Sequence, residues 1–253
     1  MADDNPRFLK RDDGPDIAYH RHAGDGARPG VVFLGGYASD MTGTKAMALE
    51  AFCRARGQGF LRFDYQAHGA TGGSFEACTI GTWLDDALAA FDALTEGPQV
   101  VVGSSMGGWI MVLLALARRA RIRGLVGIAA APDFTEDLIW ETLPAPARET
   151  LERTGRISRP NQYSDEPNII TRKLIEDGRK RLVLRETIDL DCPVRLIHGV
   201  RDADVPWQVS LKLAGKLAGD DVRLTLIKDG EHRLSREGDL ALIQDSIAEL
   251  CAN

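Results

Sequence analysis

Cysteine and histidine are scarce in this chain, four and five among 253 residues. The cysteines, Cys53, Cys78, Cys192 and Cys251, form no CxxC pair and no zinc-spaced cluster with histidine. That excludes a disulfide framework and a structural zinc site, and leaves them as reduced, mostly buried thiols. Positive charge is also short: Lys plus Arg number 31 against 37 for Asp plus Glu, a formal charge of −6. Nucleic-acid modules carry the opposite sign, so no nucleic-acid partner is expected. The longest apolar run, Trp109 to Ala117, is far below the ~20 residues of a membrane helix, so no stable membrane insertion is expected. The opening residues, Met1-Ala2-Asp3-Asp4-Asn5-Pro6, have neither a basic start nor an apolar stretch, nor the Arg-rich look of a transit peptide. A cytoplasmic protein, monomeric or weakly dimeric, is the expectation. P-loop, dinucleotide and metal-ligand spacings are missing too, so no cofactor and no metal is expected.

An ordinary globular composition is present, 44% apolar and 27% charged, on a chain long enough for one large domain or two small ones. Short β-rich runs alternate with helical patterns. Strands are expected at Val31–Leu34, Phe60–Phe63, Val100–Val102, Leu125–Ala129, Val194–His198 and Val222–Ile227. Most are near-continuous apolar runs, as in parallel strands covered on both faces. Helices are expected at Thr44–Arg56, Thr82–Leu94, Ser105–Arg119, Gln208–Leu217 and Asp239–Leu250. In the second, Leu84, Leu88, Phe91 and Leu94 form the inward stripe while Asp85, Asp86 and Asp92 point away. Phe8–Lys10 and Ile17–His20 flank Asp12-Asp13-Gly14 as a hairpin. The pattern is α/β with one sheet.

One segment, 133–189, breaks the rhythm. It carries five prolines from its margin at Pro132 to Pro167, no strand signal, and helical stretches at Ala147–Arg153 and Ile169–Glu186. Such an excursion between sheet strands suggests a helical lid inserted into a core made of 1–132 and 190–253. Its charge is uneven: Asp133–Ala147 holds four acids and no base, Arg148–Arg185 ten bases and six acids.

The strongest motif is Gly103-Ser104-Ser105-Met106-Gly107, a G-x-S-x-G between an apolar strand and a Leu/Ala-rich helix. In that setting the pattern describes a strained strand-to-helix turn that lifts the serine hydroxyl to a helix N-terminus, with glycines where strand and helix crowd. A serine needs a base. His20 and His22 belong to the hairpin, His68 to a Gly-rich loop, and His198 ends a strand. Where such a turn carries a triad, acid and then base follow it along the chain, the base after the last strand. Only His232 meets that. The acid belongs one strand earlier, where Asp202 and Asp204 compete and Asp202 is preferred. Backbone N–H groups of Met106 and of Tyr37, in the Leu34-Gly35-Gly36-Tyr37 turn, are the candidate oxyanion donors. Gly36, Trp109, Trp140, Tyr163 and Trp207 are candidate pocket walls.

These residues resemble the α/β-hydrolase family: a mostly parallel central sheet flanked by helices, with a helical lid. Within it the chain is most similar to the branch of acyl-glucuronide esterases and palmitoyl-protein thioesterases. That likeness rests on Gly35-Gly36-Tyr37, Met41-Thr42-Gly43-Thr44-Lys45-Ala46, Arg62-Phe63-Asp64-Tyr65, Val102 through Trp109, Gln162-Tyr163-Ser164, Cys192-Pro193 through Pro206-Trp207, and His232-Arg233. The resemblance implies Ser105, Asp202 and His232 as a triad. It also implies a serine hydrolase acting through an acyl-enzyme on a small ester, an acyl thioester or an acylated protein. A serine peptidase or C–C bond hydrolase would use the same residues, and a non-catalytic ligand-binding protein could keep the scaffold.

Overall fold

The structure, a computed structural model, describes residues 5–160 and 167–252. Ten strands form in chain order: β1 (Arg7–Leu9), β2 (Ile17–His22), β3 (Gly30–Leu34), β4 (Phe60–Phe63), β5 (Gln99–Ser104), β6 (Ile122–Ile128), β7 (Arg156–Arg159), β8 (Asn168–Thr171), β9 (Val194–Gly199) and β10 (Val222–Ile227). Eight of them make one sheet in the order β1-β2-β4-β3-β5-β6-β9-β10. The first two pairings are antiparallel and the remaining five parallel.

Strand alternation divides the core. Val32 and Leu34 of β3 and Val101 of β5 face one apolar cluster, whereas Val31, Phe33, Val100 and Val102 face the other. The helices are α1 (Thr44–Ala55), α2 (Ile80–Leu94), α3 (Met106–Ala117), α4 (Ala145–Thr154), α5 (Arg172–Arg179), α6 (Gln208–Lys216) and α7 (Glu237–Cys251). Helices α1 and α7 cover the second cluster, and α2 and α3 the first. At the centre, β3 has β4 on one side and β5 on the other. Chain order therefore reverses there, and the loops after β3 and β5 part to open a crevice at the carboxyl ends of the strands.

Several expectations need correction. The inward face of α2 runs through Ile80, Trp83, Ala87, Ala90, Phe91 and Leu94, and Leu84 and Leu88 are only half-buried. Asp86 turns inward with them, fully buried, ion-paired to Arg11 and accepting the Gln66 N–H at 2.7 Å. A buried carboxylate needs such partners, and Arg11 lies too far along the chain for helix periodicity to reveal it. Residues 133–189 are not strand-free either: β7 and β8 pair antiparallel as a separate two-stranded sheet. The helix expected from Ile169 begins only at Arg172, because the Thr171 hydroxyl caps it by accepting the Leu174 N–H, and it ends at Arg179. The two charge blocks of this segment do not stay apart. Glu136 pairs with Arg179, and Asp133 and Asp137 with Arg185. Among the described residues no helix is long and apolar enough to cross a membrane.

Candidate active site

The turn at Ser105 is shaped by its glycines. Ser105 has φ 55° and ψ −120°, a region that side chains rarely enter. A Cβ at Gly103 would lie 2.4 Å from the Gly107 carbonyl oxygen, and one at Gly107 would lie 2.1 Å from that of Leu34. The strained turn is fixed from both sides: Ser105 N–H donates to Ile128 at 3.0 Å, and the Ser105 carbonyl accepts from Gly108 and Ala131 at 2.8 and 3.0 Å. Strain persists at one residue when its surroundings over-determine it.

The loops after β9 and β10 are stitched together. Val200 N–H donates to the Ile227 carbonyl at 2.8 Å and Arg201 N–H to that of Gly230 at 2.9 Å. Gly199 and Gly230 touch so closely that a Cβ on Gly199 would meet the Gly230 oxygen at 2.3 Å. This contact sets Asp202 beside His232. The Ser105 hydroxyl donates to His232 Nε2 at 3.0 Å, and His232 Nδ1–H donates to Asp202 Oδ2 at 2.7 Å. The carboxylate beside Nδ1 assigns the tautomer and leaves Nε2 as the acceptor. Asp202 Oδ1 accepts the N–H groups of Asp204 and Val205, both at 2.9 Å. Burial opposes ionisation of Asp202, but hydrogen bonds from His198 and His232 outweigh it and hold the carboxyl well below the usual range.

Asp204, the competing acid, is exposed at the rim of the cavity in front of Ser105. That cavity holds about 550 Å³, within the range of small-molecule sites. Ser105, Met106, Gly36, Tyr37 and His232 all line it. The Gly36 backbone is packed against the Ser105 turn, so that a Cβ there would touch Ser105 Cβ at 3.4 Å. The 133–189 segment contributes Phe134, Leu138, Ile139, Arg159, Asn168 and Ile170 to the wall. The Tyr37 hydroxyl donates to the Ile169 carbonyl at 2.5 Å, tying the β3 loop to β8.

Three expected pocket walls stand elsewhere. Trp109 is fully buried behind Phe134, with its indole N–H donating to the Arg181 carbonyl at 3.1 Å, so its bulk fills core. Trp140 is half-buried off the cavity, with the guanidinium groups of Arg148 and Arg179 over its ring. Trp207 begins the turn into α6 and also lies off the wall. Tyr163 lies outside the described residues.

The cavity has a cationic edge formed by Lys45, Arg159 and Arg233; Arg159 belongs to the basic stretch Arg148–Arg185, whereas Lys45 and Arg233 are the two that sequence reasoning missed. The Lys45 ammonium donates to the Arg233 carbonyl, and burial beside Arg233 lowers its pKa to about 8. The motif Lys45-Ala46 was legible, but nothing in its spacing indicated that it would face the same cavity as Arg233. Among the described residues, the ligand atoms of Asp202, Asp204 and His232 lie within 4.8 Å of one another. Those of Asp202 and His232 are already committed to each other and to Ser105, so the cluster is two members of that hydrogen-bonded row with the Asp204 carboxylate beside them.

Residues 31–241 match the family described as the alpha/beta hydrolase family. A mouse protein named palmitoyl-protein thioesterase ABHD10, mitochondrial, is 39% identical over 244 residues, 96% of this chain and 81% of its own. Among solved structures, a putative hydrolase from Agrobacterium vitis S4 superposes with a TM-score of 0.92 at 43% identity, covering 97% of both chains. The alpha/beta hydrolase domain-containing protein 10 from mouse gives 0.90 at 38%, again covering 97% of both. The expected cytoplasmic location is overturned by the curated relatives, which are named as mitochondrial and point away from the cytoplasm. Compartment addresses are separate from the packed domain, so composition and fold hold no record of them. With the family match spanning most of the chain and relatives near 40% identity, this chain belongs to the alpha/beta hydrolase family.

Proposed function

We propose that this chain is a serine hydrolase that cleaves acyl thioesters and carboxylic esters through an acyl-enzyme on Ser105. The observation that carries the reading is the hydrogen-bonded row Ser105–His232–Asp202, which ends on a strained serine at the wall of a cavity. Ser105 Oγ attacks the acyl carbon as His232 Nε2 takes its proton. The amides of Met106 and Tyr37 stabilise the oxyanion. The intermediate collapses, His232 gives the proton to the departing thiol or alcohol, and Ser105 is left acylated. Water then attacks with the same proton path, the acyl group leaves as a carboxylic acid, and Ser105 regains its proton. Asp202 stays ionised throughout, orienting His232 and stabilising its cationic form.

Residues 133–189 are proposed as a lid inserted into a core of 1–132 and 190–253. Its apolar contribution to the cavity, Phe134, Leu138, Ile139 and Ile170, suits an acyl chain, in keeping with the thioesterase name of the relatives. A small-molecule thioester and an acylated protein both fit this chemistry. Lys45, Arg159 and Arg233 favour a second substrate group, esters whose leaving group is anionic, such as an acyl glucuronide.

The test compares kcat/KM of wild type, Ser105→Ala and Arg159→Ala on a fatty acyl thioester, a neutral short-chain ester and a glucuronyl ester. Ser105→Ala is expected to lose several orders of magnitude on all three. Arg159→Ala is expected to lose about tenfold on the glucuronyl ester alone. Near wild-type turnover by Ser105→Ala sinks the mechanism, and unchanged glucuronyl kinetics in Arg159→Ala removes the anionic leaving group.

A further inference from the structure

His68 is a buried imidazole outside the row that ends on Ser105. It lies 3% exposed in the loop after β4, and both of its ring nitrogens are engaged. Nδ1 faces the Gln66 carbonyl at 3.1 Å, and a carbonyl only accepts, so Nδ1 carries the proton. Nε2 is then a bare acceptor, and it receives the Ala38 N–H at 3.1 Å. A buried acceptor aimed at one backbone amide, three residues after Gly35, is an unusual use of the side chain.

The amide it holds belongs to a strained residue. Ala38 has φ 54°, a left-handed conformation in which the Cβ of a non-glycine residue crowds its own backbone. The turn before it is braced by the Gly36 carbonyl, which accepts from Ser39 N–H at 3.3 Å and from Ser39 Oγ at 2.8 Å. Gly36 lies against Ser105, so only Tyr37 separates the residue touching the nucleophile from the residue held by His68.

The ring of His68 is itself held in place. It lies edge-on to Tyr65 and Trp83, at 5.7 and 5.2 Å between centroids, and 5.2 Å from Phe75. Trp83 Nε1–H donates to the same Gln66 carbonyl at 3.1 Å, fixing the acceptor that selects the tautomer. Tyr37 packs on the same Phe75 and Trp83, at 5.0 and 5.6 Å, so one aromatic cluster carries both the imidazole and the turn.

We infer that His68 is the positioning residue of the oxyanion turn: by accepting the Ala38 N–H it fixes residues 36–39 so that the Tyr37 amide faces the acyl carbonyl on Ser105. The inference rests on the roles proposed above for Ser105 and Tyr37. Only the neutral imidazole performs this task, because a proton on Nε2 would set N–H against N–H. Burial lowers the His68 pKa and keeps the ring neutral. The ionisable groups around it are Asp40, the nearby charge; Asp64, whose carboxylate takes the amides of Met41 and Ala70; Asp86, bonded to the Gln66 N–H; and Tyr37, Tyr65 and Cys78.

Two substitutions separate an acceptor role from bulk. In His68→Gln the side-chain oxygen reaches the place of Nε2. In His68→Asn it reaches only that of Nδ1. Each variant is checked for cooperative unfolding and compared with wild type for kcat, KM, product-acid affinity and affinity for an acyl trifluoromethyl ketone, which adds Ser105 and forms an oxyanion. His68→Asn is expected to lower kcat by about thirtyfold, part of the 10²–10³ carried by one oxyanion donor. KM and product affinity should change by less than about threefold, since ground-state contacts remain. Ketone affinity should fall in parallel with kcat, and His68→Gln should restore both to within about threefold of wild type.

Wild-type kcat in folded His68→Asn would overturn the role. Equal losses of kcat, ketone affinity and product affinity would do the same, by reducing His68 to packing. If His68→Asn does not fold, His68→Gln decides alone, and a folded Gln variant with kcat lost contradicts the inference. Failure of the underlying reading looks different: wild type itself binds the trifluoromethyl ketone no better than the methyl ketone, and the role of His68 falls with it.

Discussion

His198 stands directly behind Asp202, with its Nε2 3.2 Å from Asp202 Oδ2 and 2.9 Å from the Val205 carbonyl. Both neighbours only accept, so Nε2 carries the proton, and Nδ1 accepts from the Ser210 hydroxyl at 2.7 Å. Asp202 therefore has donors on every side: two imidazoles on Oδ2 and two backbone amides on Oδ1. A carboxylate so surrounded stays ionised and immobile, which is what an orienting acid requires.

The two acids of this loop are predicted to behave very differently. Asp202→Asn presents an amide to His232 and favours the wrong tautomer, so kcat is expected to fall by about 10³–10⁴. Asp204→Asn keeps the Asp204 N–H bond to Asp202 and removes the charge of a carboxylate at the cavity rim. That carboxylate lies within 4.8 Å of the Asp202–His232 pair but is not the partner of His232 Nδ1, so kcat should change by less than about tenfold. Steady-state kinetics of the two variants on one chromogenic ester makes the comparison, and similar losses in both would contradict the assignment.

The depressed pKa of Asp202 also predicts how acid acts on stability. A carboxyl whose folded pKa lies below its unfolded value of about 3.9 stabilises the fold fully above that value. The contribution is lost as pH falls through the lower folded value. The other acids are common to wild type and Asp202→Asn, so in the acid range the gap in unfolding free energy reports this one. From pH 5 downward it should narrow once the pH passes below about 4. Urea unfolding across that range measures it, and a gap that stays level to pH 3 would show that Asp202 is not held ionised.

Glycine-to-alanine changes at two positions should differ in sign. At Gly107 the new Cβ meets the carbonyl oxygens of Leu34 and Gly35 at 2.1 and 2.5 Å, both rigid backbone. Gly107→Ala is expected to lose about 2 kcal/mol or more, together with activity, because β3 and α3 must separate at the Ser105 turn. At Gly215 in α6 nothing lies within 4 Å of the added carbon. Gly215→Ala should gain about 0.5–1 kcal/mol, from helix propensity and a less free unfolded chain. Chemical denaturation reads both, and a stable, active Gly107→Ala protein would contradict the crowding.

Much of the architecture was legible because the sheet is buried on both faces. Val100–Val102 is apolar throughout, and Val194–His198 carries Val194, Leu196 and Ile197 around Arg195 and His198, the kind of run expected of strands covered on both faces. Ser105 and His232 were legible because glycine spacing and chain order constrain them locally. What depended on distant partners was not. The strands Arg156–Arg159 and Asn168–Thr171 are short, partly polar and supported mainly by each other, so neither looks like a strand alone. Trp109 has the size of a pocket wall, but the depth at which a helix buries it is set by packing. His68 and His198 share that fate: each is assigned by what its two nitrogens meet across the fold.

The most direct test of the central claim is intact-protein and peptide mass spectrometry after reaction with a fluorophosphonate and, separately, with a slowly deacylating acyl thioester. The account predicts one adduct per chain on Ser105 with each reagent, and none in Ser105→Ala or in wild type pretreated with the trifluoromethyl ketone. Turnover of the thioester by wild type, with no adduct on Ser105 from either reagent, would contradict it.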